Sequence, residues 1–446
     1  MKIQVPEKAK KIIDTLNAAG YEAYAVGGCV RDSVLGREPQ DWDITTSAKP
    51  EEVKALFPRT VDTGLQHGTV TIMQDREGFE VTTYRIDGAY EDSRHPKKVI
   101  FTPNLEDDLK RRDFTINAMA YNDDTGLVDL YGGMADMEAG IIRCVGNPRE
   151  RFGEDALRML RALRFSAQLG YAIEENTREG IRELADTLEK ISAERIQTEL
   201  VKMLVSAKPD TLRDAYRLGV TRVFFPEFDK AMETEQNHPH HIYSVGEHIL
   251  HSLAFVKPDK VLRLAMLFHD IGKPETITTD SNGVNHFKGH ALVSADKCKE
   301  ILRRLKFDND TIGQVSRLVL YHDYGMGVKP DMQMVRRAIN KIGEDIFDKY
   351  LDVRLADILS QSDYMRQDKL DNLNEWKALY HRVLEENQCV SMKNLAISGS
   401  DLIAAGMKPG KEMGEVLRRL FDLVLENPSL NTKDSLLDEY EKMKSD

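Results

Sequence analysis

The feature that most constrains the fold is the point at which strand-forming segments stop. Runs rich in β-branched and aromatic residues ("YEAYAV", "DWDITT", "TVTIM", "FEVTTYRI", "INAMAYN") all fall within the first 145 residues, separated by glycine-bearing turns. From about residue 148 onward apolar residues recur at helical spacing instead. In "GEDALRMLRALRFSAQLG", Leu157, Leu160, Leu163 and Ala167 form one stripe that ends at Gly170. A further helix is expected at about 7–19, closed by Gly20. The pattern predicts an α+β N-terminal head with a mixed β-sheet, then all-α segments broken at Pro209, Pro226, Pro239, Pro258 and Pro330. The polar, unperiodic "DGAYEDSRHPKKVIF" reads as a mobile loop.

Within the head, Asp41 and Asp43 flank Trp42. In an extended strand residues i and i+2 point the same way, so both carboxylates project from one face. Like charges this close repel, and a divalent cation is a reason to keep them. Oxygen ligands suit magnesium, and two ions about 3.5–4 Å apart organise in-line phosphoryl transfer. "FEVTTYRI" offers Glu80 as a third acid from a neighbouring strand. Just upstream, Gly27 and Gly28 follow a strand and open a helix, where backbone N–H groups approach phosphate closely. Carboxylates beside a phosphate cradle describe a nucleotidyl-transfer site. Arg31 and Asp32 suit either positioning of the triphosphate and the metal-binding strand or a structural ion pair.

The stretch "GGCVRDSVLGREPQDWDI" resembles the first motif of the bacterial-type (class II) tRNA nucleotidyltransferases, the CCA-adding enzymes of the polymerase β superfamily. "RRDFTINAMAY" resembles their second motif, "DLYGGMADMEAGIIR" the third, "EDALRMLRALRF" the fourth and "ISAERIQTELVKML" the fifth, in the family's order over residues 22–206. The resemblance implies a polymerase β-like head that uses Mg2+, CTP and ATP to write CCA on the tRNA 3′ end with a protein template. It places ribose and triphosphate recognition on Arg111, Arg112, Asp113 and Asn117, and implies nucleotide contacts for Arg161 and Arg164. It also makes the loop at about 85–100 the family's flexible catalytic loop. An A-adding enzyme or poly(A) polymerase shares the same head and stays open as an alternative.

Base choice can be read from Asp155 and Arg158, which at i and i+3 are expected on one helix face. An acceptor beside a forked donor matches the Watson–Crick edges of cytosine and adenine. Uracil and guanine reverse that order, and each mispaired polar group costs about 1–3 kcal/mol. Glu154 is expected to orient Arg158 or cap its helix.

Eight of the twelve histidines lie between His238 and His290. "RLAMLFHDIGKP" carries an adjacent His269 and Asp270, with "HHIYSVGEHILHSL" before and "HFKGHALVSA", "YHDYG" and "VRLADILSQS" after. This spacing resembles the HD phosphohydrolase domain. The resemblance implies His248, His269, Asp270 and Asp357 as metal ligands, with His290 and His322 as further candidates. Such a donor set suits Mn2+, Ni2+, Fe2+ or Zn2+, and the implied chemistry is hydrolysis of 2′,3′-cyclic phosphates or phosphomonoesters.

The expected organisation is a nucleotidyltransferase head at 1–145, a helical neck at 146–236, an HD domain at 237–365 and a helical tail at 366–446. In the tail, Gly399, Gly406 and Gly410 mark turns, with Lys408 and Lys411 nearby, read either as an RNA phosphate contact or as a helical packing unit. The net charge of -12 argues against nucleic acid as a partner, but binding follows local patches. A continuous basic face is expected from the arginines of 149–164 together with the tail. No apolar run reaches the ~18–20 residues of a membrane span, and the N-terminus carries no export signal. The four cysteines (29, 144, 298, 389) form no CxxC pair, which fits a cytoplasmic location. A monomer and a homodimer are both compatible with the sequence.

Overall fold

The expected strands assemble into one sheet. In the computed structural model, which describes residues 2–87 and 99–445, the first nine strands are β1 (Ala23–Val26), β2 (Ile44–Thr46), β3 (Thr60–Gly64), β4 (Thr69–Gln74), β5 (Glu77–Thr83), β6 (Arg85–Asp87), β7 (Val99–Phe101), β8 (Met119–Asn122) and β9 (Gly126–Asp129). Seven of them form a mixed sheet in the order β3-β4-β5-β2-β1-β8-β9. Every pairing in it is antiparallel except β2 with β5. Helix Glu7–Ala18 buries Ala9, Ile12, Ile13 and Leu16. Tyr24, Val26, Tyr84 and Ala120 pack with Leu105 and Leu109 of helix Leu105–Lys110.

Several boundaries differ from expectation. "FEVTTYRI" splits at Tyr84, whose N–H donates to Thr46 O at 2.7 Å, so its end leaves the main sheet. That end, β6, pairs with β7 in a short ladder. The remainder of the segment read as a mobile loop, 88–98, lies outside the described residues. Strand β3 was not legible because it is mostly exposed along its length and shows no alternation. The helix expected through 153–170 is two helices, Pro148–Glu154 and Leu157–Leu169, the second closed by Gly170 in the left-handed conformation.

The chain divides into two compact units, Met1–Pro226 and Glu227–Asp446. The first ends in helices after the sheet, including Glu175–Leu184 and Ala193–Leu204. The second is helical apart from one two-stranded ladder, Thr278–Thr279 with Asn285–His286. Its last part has its own core of Cys389, Ile397, Leu402, Leu420, Phe421, Val424, Leu425, Leu436 and Tyr440. Buried Arg336 ties helix Met332–Ile342 to that core by donating to Leu425 O (2.7 Å) and Glu426 O (3.0 Å), carbonyls that the end of helix Lys411–Glu426 leaves unpaired. Among the described residues, no helix is long and apolar enough to cross a membrane.

Candidate functional site

Asp43 sits one residue, and Asp41 three residues, before β2 rather than inside it. Their backbone is already in register, because Val26 N–H donates to Asp43 O at 3.0 Å. In the parallel pair, Ile44 faces Val81, so the preceding positions bring Asp43 beside Glu80. Crowding out of water raises the proton affinity of Asp43 above the ordinary carboxylate value. The Arg112 guanidinium opposes this, while Glu80 and Asp41 push it further. Asp41 and Glu80 thus lie close enough to act on the charge of Asp43, which brings the three expected acids together beside the start of β2.

The glycine pair lies beside them. Gly27 holds φ +80°, and a Cβ there would meet Arg112 Nη1 at 3.0 Å, so a larger residue is both strained and crowded. Gly28 opens the helix that ends at Val34. Asp41 and Asp43 share a polar cleft of about 610 Å³ with Gly28, Arg31 and Asp32, and Arg164 and Lys202 also line it.

The arginines are placed by a network that links the motifs. Arg31 donates to Asp32 (Nε 2.9 Å, Nη2 3.0 Å) and to Asn117 Oδ1 (2.6 Å). Asn117 donates to Asp113 Oδ1 at 3.1 Å, and Arg161 Nε donates to Asp113 Oδ2 at 2.7 Å. Although burial opposes its ionisation, Arg161, the Asn117 amide and Arg158 hold Asp113 down at about 2. Arg164 pairs with buried Glu199 at 2.6 Å. Burial, chiefly, with Arg161 and Arg31 nearby, brings its guanidinium down to about 10 despite Glu199.

Sequence reasoning missed three residues that organise this network. Asp108 is fully buried and accepts from Arg111 (2.8 Å) and Arg112 (3.3 Å), as well as from Thr45 Oγ1 (3.1 Å). Its i+3 and i+4 spacing to the two arginines was the available signal. Phe165 presents its ring to Arg31, Arg161 and Arg164 at 5.0, 5.4 and 4.0 Å. Its i+4 relation to Arg161 was legible. Arg195 falls inside the fifth motif, but its pairing left no spacing signal, because its partner, Asp155, is distant in sequence.

That partner corrects the expected geometry of the base-reading pair. Asp155 is not on a helix face with Arg158. It lies between the two helices in extended backbone, where its Oδ1 accepts the Leu157 N–H at 3.1 Å. Arg195 grips the same carboxylate with two nitrogens, at 3.2 and 2.6 Å. Arg158 pairs with Glu154 and donates to Arg151 O and Arg111 O, each at 3.1 Å.

The arginines of 149–164 do not make an unpaired basic stripe either. Arg149 pairs with Glu183, Arg151 and Arg158 with Glu154, Arg161 with Asp113 and Arg164 with Glu199.

In the second unit, the histidine-rich segments converge on Asp270. His248 comes from helix Val245–Leu253, His269 and His322 from the C-terminal caps of two helices, His290 from the start of a fourth and Asp357 from helix Phe347–Ser360. His248 Nε2 lies 3.1 Å from His269 Nε2, 3.0 Å from Asp357 Oδ1 and 3.4 Å from Asp270 Oδ2. On the other carboxylate oxygen, Asp270 Oδ1 is 3.3 Å from His290 Nε2 and 3.7 Å from His322 Nε2. Two trios of metal-ligating type therefore share one aspartate.

Each imidazole turns Nδ1 to a backbone carbonyl: His269 to Met266 O (2.7 Å), His290 to Phe287 O (2.9 Å), His322 to Val319 O (2.7 Å) and His248 to Ser360 O (3.4 Å). A carbonyl only accepts, so in a neutral ring the proton is held on Nδ1 and the Nε2 lone pair faces inward, as a metal ligand requires.

Lys273, also unanticipated although it sits three residues after Asp270, approaches Asp270 Oδ2 at 2.6 Å and donates to Gln236 Oε1 at 2.8 Å. Although burial opposes ionisation, Lys273 and His269 hold the Asp270 carboxyl well below the usual range. A cleft of about 380 Å³ opens over the cluster, lined by His240, His241, Lys273, Met326, Met365 and Lys369 among others.

Comparison with known proteins agrees with the motif order. The family of poly(A) polymerase head domains matches residues 23–143. A second family, described as a probable RNA- and SrmB-binding site of polymerase A, matches 170–232, and tRNA nucleotidyltransferase domain 2 matches 286–440. The CCA-adding enzyme of Limosilactobacillus reuteri is 35% identical over 442 residues, 98% of this chain and 96% of that one. That of Pediococcus pentosaceus is 34% identical over 443 residues, covering 99% and 98%. The crystal structure of the Bacillus stearothermophilus CCA-adding enzyme in complex with CTP superposes with a TM-score of 0.72 at 28% identity, covering 99% of each chain. With a polymerase β-like head, the five motifs in order and end-to-end similarity of this kind, the chain belongs to the CCA-adding enzymes, the bacterial-type tRNA nucleotidyltransferases.

Proposed function

We propose that the head adds cytidylate and adenylate from CTP and ATP to the 3′ end of tRNA, with Asp41 and Asp43 holding Mg2+ and Glu80 orienting the primer hydroxyl. The observation that carries this is the convergence of the three carboxylates beside the Gly27–Gly28 turn. The primer 3′-hydroxyl releases its proton to solvent as its oxygen attacks the α-phosphorus, the bond between the α-phosphorus and the bridging oxygen to the β-phosphate breaks, and pyrophosphate leaves. Bound Mg2+ supplies charge neutralisation for this displacement. Arg31, Arg111, Arg112 and Arg164 hold the triphosphate, and Asn117, fixed by Asp113 and Arg161, faces the ribose.

Asp155 and Arg158 read the base. A carboxylate has about four lone-pair sites. Arg195 takes two of those on Asp155 and the Leu157 N–H one, which leaves one for the exocyclic amine of cytosine or adenine. Arg195 is then a positioning residue, and Glu154 plays the same part for Arg158.

The test is incubation of the full chain with tRNA that ends before CCA, in CTP alone and in ATP alone. Cytidine incorporation is expected. Adenylate addition without it would transfer the assignment to an A-adding enzyme or poly(A) polymerase. The matches at 23–143 and 170–232 fit a head ending near 145 and a neck ending near 236, whereas the proposed boundary between HD domain and tail near 365 falls inside the match at 286–440. A cytoplasmic location and a monomeric or homodimeric state belong to the same reading.

The second unit favours an additional phosphohydrolase activity, on the observation of four inward-facing Nε2 atoms around Asp270. His248, His269, Asp357 and one oxygen of Asp270 would hold one transition-metal ion, and His290, His322 and the other oxygen a second. Bound metal supplies activated water for attack on a 2′,3′-cyclic phosphate or phosphomonoester. Metal content of the purified chain, measured with and without His269→Ala, tests the ligand set. Unchanged metal content and unchanged phosphodiesterase activity in that variant would defeat it.

A further inference from the structure

Two lysines line the cleft over Asp270, and only one of them is neutralised. Lys273 approaches Asp270 Oδ2 at 2.6 Å. Lys369, near the start of helix Arg366–Glu385, has no carboxylate within ion-pair distance among the described residues. Both belong to the second unit. The histidine spacing did not point to Lys369, which falls in the segment expected to be tail.

An ammonium carries three N–H donors. Two of them are taken, one by Gln361 Oε1 at 2.7 Å and one by His240 Nδ1 at 3.0 Å. Buried Gln361 in turn donates its amide nitrogen to Asp357 Oδ1 at 3.0 Å. Its amide has one workable orientation, because the carboxylate only accepts and the ammonium only donates. Burial, the Lys369 charge and His238 together depress the proton affinity of His240, so its ring is neutral at pH 7 and accepts at Nδ1. The third N–H of Lys369 meets no protein acceptor among the described residues, and the residue faces the cleft that Asp270 and Asp357 also line. A partly buried ammonium with neither a counter-charge nor a partner for its last donor is costly, and an anion in the cleft removes that cost. The neighbouring helix start favours negative charge as well.

We infer that Lys369 grips the phosphate of the substrate in this site, its third N–H donating to a non-bridging phosphoryl oxygen. This rests on the reading of the second unit as a phosphohydrolase. Gln361 and His240 are positioning residues, and Gln361 links the grip to Asp357, one of the expected metal ligands. Such a charge-assisted contact is available to every phosphoester, cyclic or open, so Lys369 sets affinity rather than the choice between them.

The test uses the full chain loaded with Mn2+ and compares wild type, Lys369→Met and Lys369→Arg. Mn2+ content is measured by elemental analysis, binding of inorganic phosphate by calorimetry and hydrolysis of 2′,3′-cyclic AMP by steady-state kinetics. Lys369→Met keeps most of the stem and removes the charge. It is expected to weaken phosphate binding and raise the KM for the cyclic nucleotide roughly tenfold or more, with kcat changed far less. Lys369→Arg should recover most of the phosphate affinity. Mn2+ content, melting temperature and nucleotide incorporation by the head should match wild type in both variants. Unchanged phosphate affinity and KM in Lys369→Met would overturn the proposal. So would a loss of Mn2+, which would make Lys369 a support of the metal ligands through Gln361. A wild-type chain that binds Mn2+ and phosphate but hydrolyses no ester would sink the hydrolase reading alone, and the calorimetry of Lys369→Met would then decide the grip by itself. A wild-type chain that binds no phosphate would overturn both.

Discussion

Replacing Asp113 with asparagine keeps the shape of the side chain and removes its charge. The buried carboxylate accepts from Arg161 at 2.7 Å, from Asn117 at 3.1 Å and from the Phe114 N–H at 2.9 Å, and is held at about 2. Against an unfolded value of ~3.9, that depression corresponds to about 2–3 kcal/mol at neutral pH. Breaking a buried ion pair from one side costs about 3–5 kcal/mol. The lower end applies here, because the Arg161 side chain is 34% exposed and rehydrates in part. At about 2–4 °C per kcal/mol for a unit of this size, the first unit should melt about 5–10 °C lower.

The sign of the pH effect follows from the direction of the shift. A depressed carboxyl contributes stability that is complete above its unfolded value and is lost as pH falls toward its folded one. Urea unfolding of both proteins at pH 7 and pH 3 should therefore show the gap narrowing by roughly 1 kcal/mol at the lower pH. A gap that does not change with pH, or one under about 0.5 kcal/mol at pH 7, would refute the assignment of Asp113 as the charged keystone between Arg161 and Asn117.

Gly27→Ala forces a side chain into φ +80° and toward Arg112. It should cost about 1–2 kcal/mol of stability and raise the KM for CTP and ATP alike in steady-state assays. Arg195→Ala frees the Asp155 carboxylate from its two-point grip. Misincorporation of UMP and GMP, measured by end-group sequencing, should rise about tenfold or more, since a base-reading contact of about 1–3 kcal/mol loses its fixed direction. Arg336→Met leaves the Leu425 and Glu426 carbonyls without their donor. It should lower the melting temperature of the second unit through a loss of about 1–3 kcal/mol, with nucleotide incorporation followed alongside.

What could be seen in the sequence was what local periodicity and motif order encode. Helix Glu7–Ala18, the turn at Gly27, five of the sheet strands and the residues around Asp270 all followed from short-range pattern. The exposed edge strand β3 escaped because neither of its faces is buried enough to impose alternation. Asp155 was misplaced for a different reason. Its i+3 spacing to Arg158 suits a helix, but a carboxylate that accepts the Leu157 N–H ends one helix and starts another. Arg195 and Lys202 are joined to the head motifs only through the folded chain, where no spacing rule reaches.

The single parallel pair in the sheet has a consequence for how active enzyme is made. Antiparallel neighbours such as β4 and β5 zip from a local turn, but β2 reaches β5 only after the intervening chain has looped around and closed, a step that carries a larger entropic barrier. Asp43 meets Glu80 at that seam, so a nascent head lacks this pair of carboxylates until β5 has closed on β2, a closure separate from the longer-range pairing of β1 with β8. Substitutions in the hairpin Thr60–Gln74, remote from any substrate, should change the fraction of molecules that become active and leave the affinity of each active molecule untouched.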